Sequence, residues 1–160
     1  MTTARLGFVE ILQVGALAGF AGGLAEIGWI SLYGAAMGMP IESVAQEVTR
    51  SVLPVFGDSS WSVWLGILVH LILALGVGVL LAFAIRFLLR DNGGAYSDLA
   101  VILALAVVWA VNFFVTLPHL NPEFVNLLPY SVTLLSKLFF GLSAATVFRI
   151  DRMRVAHGLI

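Results

Sequence analysis

Four long apolar runs, separated by short polar segments, make up most of this chain. A helix needs about 20 mainly apolar residues to cross the hydrocarbon core of a bilayer. Phe8–Gly34, Trp61–Leu89, Leu99–Leu117 and Pro129–Ile150 meet that requirement. The pattern predicts an all-α integral membrane protein, a four-transmembrane-helix bundle forming one domain over residues 1–160.

Each run has a physical stop. Gly38-Met39-Pro40 ends the first, Asp58-Ser59-Ser60 offers a cap ahead of Trp61, and Arg90-Asp91-Asn92-Gly93-Gly94 closes the second. Ser97-Asp98 reads as the cap of the third and Pro118 as its end, with Pro129 a first-turn proline for the fourth. The apolar stretch behind Arg5 runs to about Met37 and is interrupted by Glu10 and Glu26, so it reads as a retained first helix.

Two connecting segments carry structure of their own. Ile41, Val44, Val48 and Val52 lie at helical spacing with Glu42, Glu47 and Arg50 on other faces. This predicts an amphipathic helix over 41–53 between spans one and two, either on the outer membrane surface or packed across the top of the bundle. Asn121-Pro122 begins a short apolar turn, with Asn121 as cap and Pro122 at the first position.

Basic residues set the expected orientation. Arg5, Arg86, Arg90, Arg149, Arg152 and Arg154 fall at one end of a four-span arrangement, and Arg50 stands alone at the other. Both termini are therefore expected in the cytoplasm, and a bacterial inner (cytoplasmic) membrane is the expected location. Composition agrees with the membrane class: 61% of the 160 residues are apolar and 11% charged. A net charge of −1 gives no basis for a nucleic-acid partner. With no cysteine, thiolate chemistry is excluded.

Against this background Lys137 stands out, deep in the last run. A charge inside a membrane span usually faces the bundle interior and pairs. Glu26, inside the first run, is the expected counter-ion. Lys137 is eight residues inside Pro129 and Glu26 eight inside Gly34, so both lie roughly 12 Å below the outer boundary at 1.5 Å per residue. His70 is nine residues inside Trp61, and Asn112 five inside Leu117. Glu26, His70, Asn112 and Lys137 are thus expected to form one polar layer. Gly15, Gly19 and Gly22 share the face of Glu26, Gly66 and Gly78 that of His70, and Gly141 that of Lys137. Small residues at these spacings let membrane helices approach closely.

Other chemistry is thinly represented. His70, His119 and His157 fall at three different levels, so no bis-histidine haem site is expected, and neither a metal nor another cofactor is assigned. No zinc-protease, serine-elbow or phosphate-loop motif is present. Ser136 beside Lys137 lies on an adjacent face rather than a shared one. Trp61, Trp64, Tyr33 and Tyr130 read as an interfacial belt, and Trp29 and Trp109 as packing residues. The expected role is an accessory or assembly subunit of a larger membrane complex. Its expected partners are the lipid bilayer, other membrane subunits or a second copy of the chain. The alternative is a small oligomeric transporter or proton-coupled carrier working through the polar layer; an enzyme acting on lipid or quinone ranks below both.

Overall fold

Apolar stretches of this length satisfy all their backbone groups within one segment when they are helical, and helix is what they form. The computed structural model describes residues 7–88 and 95–157; Arg5 and the Arg90–Gly94 stop lie outside the described residues. Seven α-helices follow in order: α1 (Phe8–Met37), α2 (Ile41–Val52), α3 (Ser62–Leu88), α4 (Ala95–Val111), α5 (Leu117–Leu120), α6 (Pro122–Leu127) and α7 (Tyr130–Ala156). Among the described residues there is no strand. Four stretches among the described residues are long and apolar enough to cross a membrane: Phe8–Met37, Ser62–Phe87, Tyr96–Leu120 and Tyr130–Ala156.

α1 is the central element. It packs along α3 on one side and α7 on the other, while α4 packs along α7. The long helices therefore stand in the order α3, α1, α7, α4, and α3 and α4 make no extended contact with each other. Glycine decides the α1–α3 crossing. A Cβ on Gly15 would lie 2.7 Å from the Cα of Val79, and one on Gly78 would collide with the backbone of Gly15 and Gly19. On the other side of α1, Gly22 leaves room for the ring of the fully buried Phe140 on α7. Gly141 brings α7 against Ile102 and Leu105 of α4. Gly66 serves a different neighbour: its missing side chain admits Ala45 of α2.

α2 is accordingly packed on α3. Thr49 Oγ1 donates to the Ser62 carbonyl at 2.5 Å. On the opposite face of α2 the buried Glu47 carboxylate accepts from Asn121 Nδ2 at 2.8 Å, which ties α2 to the start of α6. Arg50 bridges Glu47 and Asp58. Its guanidinium is held above its usual range by the hydrogen bond to Asp58 and by Glu47, so it remains protonated. Asn121 also caps α6, its Oδ1 accepting from the Phe124 N–H.

Several helix ends differ from the sequence expectation. α1 runs three residues past Gly34 and stops at Gly38, whose φ of 66° is the left-handed conformation glycine adopts cheaply. α4 begins at Ala95, so Ser97 and Asp98 sit inside its first turn and bind Arg152 of α7 instead of capping. Pro118 does not end the third span. Residues Asn112–Thr116 form a π-helical turn in which the Leu117 N–H donates to the Asn112 carbonyl, five residues back. That shift in register lets the helix pass through the proline and continue to Leu120.

The two kinds of glycine make a direct test. Gly78→Leu should lower stability by about 3 kcal/mol, because the groups it meets are backbone and cannot move aside. Gly76 has open space around it, so Gly76→Ala should be neutral or stabilising by up to about 1 kcal/mol. Unfolding titrations in detergent would measure both, and equal effects would contradict the close crossing.

Candidate functional site

The polar residues converge where α3 and α7 both meet α1. Glu26 projects from the middle of α1 and is buried, with 5% of its side chain exposed. Lys137 Nζ lies 2.7 Å from Glu26 Oε1 and 2.9 Å from Oε2, a two-pronged ion pair. Ser136, one residue earlier on α7, places its Oγ 3.2 Å from Oε1. The same hydroxyl lies 2.8 Å from the Thr133 carbonyl. It has one proton for two acceptors, so it serves the carboxylate only by giving up its bond within α7. On the opposite flank, His70 Nε2 of α3 is 3.3 Å from the Gly23 carbonyl and 3.7 Å from Glu26 Oε2. The second distance is too long for a hydrogen bond, so with Nε2 protonated the imidazole donates to Gly23 and faces the carboxylate electrostatically.

The local sequence explains how three side chains reach one carboxylate. Ser136 and Lys137 are 100° apart on α7 and straddle the direction of α1. Sequence spacing put them on adjacent faces; the long lysine stem closes that gap, and Lys137 Nζ also stands 5.8 Å from the Phe140 ring. His70 reaches α1 because Gly23 and Ala74 let α3 come close. A carboxylate in this position would be very costly if unpaired, and the contact with Lys137 offsets much of that cost.

Asn112 is not brought to this cluster. Trp109 Nε1 donates to Thr133 Oγ1 at 3.0 Å, and Gly141 faces Ile102 and Leu105, which sets the antiparallel register of α4 and α7. Lys137 is one turn deeper than Thr133, and Asn112 lies three residues outward of Trp109. Asn112 therefore sits roughly 10 Å outward of the Lys137 level at 1.5 Å per residue. Counting depth from helix ends assumes that all four ends share one height. The third span instead rises beyond the start of α7.

The glycines of the sequence reading divide by partner: Gly15, Gly19 and Gly78 at α1–α3, Gly22 at α1–α7, Gly66 at α2–α3 and Gly141 at α4–α7. Residues that spacing alone did not assign to the site lie just outward of the ion pair. Trp29 Nε1 donates to the Val132 carbonyl at 3.0 Å, and Thr133 Oγ1 to the Tyr130 carbonyl at 3.1 Å. Both indoles thus anchor neighbouring helices to α7. The available signal was Thr133 one turn before Lys137, the usual place for a hydroxyl on the same face. His119 and His157 are exposed, each 2.7 Å from a carbonyl of its own helix turn. Among the described residues no three His, Asp or Glu side chains gather as they would around a metal ion.

Four apolar helices of membrane-crossing length around an internal ion pair define a small helical membrane protein. No protein-family model matches the chain, and neither a curated protein nor a solved structure is found to be similar to it.

The ion pair should behave as a coupled unit. Glu26→Gln or Lys137→Met alone should cost on the order of 3–5 kcal/mol, because each leaves a charge unpaired. The double variant should recover most of that loss in the same unfolding assay. Additive losses would mean that the two side chains do not depend on each other.

Proposed function

We propose that this chain is an accessory or assembly subunit of a larger membrane complex, and that its charged cluster faces a neighbouring subunit. One observation carries this reading. Lys137 and His70 remain 21% and 25% exposed although both lie well inside apolar spans. Lipid tails cannot hydrogen-bond to either group, whereas a packed helix can. Lysine has three donors, and Glu26 is the one hydrogen-bond acceptor Lys137 has among the described residues. The open order of the helices leaves α3 and α4 each with a long uncovered flank for such a neighbour.

In this reading both termini are cytoplasmic, since Arg86, Arg149, Arg152 and Arg154 gather at one end and Arg50 sits among acidic residues at the other. α2 and α6 then form a cap on the outer surface. A bacterial inner membrane fits the small size and the basic-inside pattern.

A second reading, a small oligomeric proton-coupled carrier, draws on Ser136. Its single proton faces two acceptors, and a histidine stands on the other side of the carboxylate. Such a group can follow a change in protonation of Glu26.

Extraction of native membranes in mild detergent separates the two. A subunit should migrate within a larger assembly and co-purify with other membrane proteins. Recovery as a lone monomer, together with pH-driven flux in liposomes that Glu26→Gln abolishes, would overturn the first reading in favour of the second.

A further inference from the structure

The buried side chains of this bundle are unevenly divided along its axis. One contiguous apolar core includes Ala18 of α1, Ala74 and Leu81 of α3, Leu105 of α4, and Phe140 and Ala144 of α7. It runs from the level of the ion pair toward the Arg152 end. Its α1 members precede Glu26, its α3 members follow His70 and its α7 members follow Lys137.

Beyond the ion pair, in the half that carries α2 and α6, the character changes. Glu47, Thr49, Ser62, Asn121 and Thr133 are buried there. Phe113, Leu117, Leu128 and Val132 are buried in this half too, but they belong to the third span, to α7 and to the turn before it. Over residues 42–52 of α2 and 122–127 of α6 the buried side chains are Glu47 and Thr49, both polar. Yet α3 and α4 make no extended contact, so the junction of α2 with α6 joins the two flanks of the bundle at this end. Asn121 holds it: besides its bond to the Glu47 carboxylate, its Nδ2 lies 3.3 Å from the Glu47 carbonyl and 3.2 Å from Ser51 Oγ. A segment secured by polar contacts, with little apolar area buried, opens locally at small cost, since water replaces the hydrogen bonds it loses.

This junction stands next to the ion pair. Gly66, one turn from His70 on α3, takes the close approach of Ala45 of α2. Thr133 stands one turn from Lys137 on α7. We propose that Glu26, Lys137 and His70 form a one-sided site. Water and small water-soluble solutes reach it from the α2–α6 end, past a clasp made by Glu47 and Asn121, and the apolar core seals it from the Arg152 end. Water admitted this way has groups to bind: Lys137 keeps donor capacity beyond Glu26, and among the described residues His70 Nδ1 makes no hydrogen bond. The proposal goes beyond the subunit reading and holds whether or not a neighbour covers the flank of the pair.

The chain contains no cysteine, so single cysteines can be labelled without background. The probe is a membrane-impermeant methanethiosulfonate bearing a quaternary ammonium, applied to right-side-out and inside-out vesicles. Ser60→Cys and His157→Cys, both at exposed positions, mark the two ends. Thr133→Cys should react slowly in the otherwise unchanged chain, and only from the side that labels Ser60→Cys. Adding Asn121→Asp should raise that rate roughly tenfold, the scale of one hydrogen bond to a charged group. The aspartate keeps an oxygen to cap α6 but loses the amide that holds Glu47. Ala144→Cys, inside the apolar core, should stay unreactive from both sides with or without Asn121→Asp, which separates opening of the clasp from loss of the fold. Reaction of Thr133→Cys from the His157 side, a rate indifferent to Asn121→Asp, or an equal gain at Ala144→Cys would each overturn the proposal.

Discussion

Everything in this molecule is arranged around a carboxylate that has nowhere else to go. Glu26 lies near the middle of the central helix and is buried there among α3 and α7. Its charge is tolerable only if a cation arrives from a neighbour, and Lys137 does so with both carboxylate oxygens in reach. That requirement sets the height of α7 against α1. The glycine pairs then set how closely α3 can lie on the other flank, and with it whether His70 can approach at all. Packing and electrostatics are thus one problem here: the small residues that permit close helices are the ones that bring polar groups into contact.

The periphery is held by discrete fasteners. α4 is attached to α7 at its two ends. On the cytoplasmic side of the proposed orientation, Arg152 grips Asp98 and Ser97. Toward the outer side Trp109 donates to Thr133 and joins Phe113, Phe114 and Tyr130 in an aromatic cluster with ring centroids 5.4–6.2 Å apart. Between these points Gly141 supplies a close approach. At the end of the bundle away from Arg152, α2 and α6 are joined through Glu47 and Asn121. A carboxylate and an amide thus do there what Glu26 and Lys137 do within.

How far the sequence can be read follows from which interactions are local. Helix formation is local, and the four apolar runs announce it. The Asn121 cap and the start of α7 after Pro129 are equally local. The Glu26–Lys137 partnership was legible for another reason: few charges lie inside the spans, so each had few candidates. Pro118 misled because its effect depends on whether a π turn absorbs the lost hydrogen bond, a choice made jointly with the packing of Phe113 and Leu117. Ser97 and Asp98 misled because a cap-like pair met a long-range partner in Arg152.

By itself, then, the sequence determined the helices, their apolar character and the two charges that must find each other, because these follow from hydrophobic periodicity and the cost of charge in hydrocarbon. Tertiary structure alone decided the order α3, α1, α7, α4, the gathering of Ser136 and His70 around Glu26, and the separation of Asn112 from that group. Those outcomes depend on relative helix height. Height is set by contacts between helices distant in sequence, and no count along a single helix contains it. Lys137 is charged and deep from its sequence alone; only the fold determines that part of it stays uncovered.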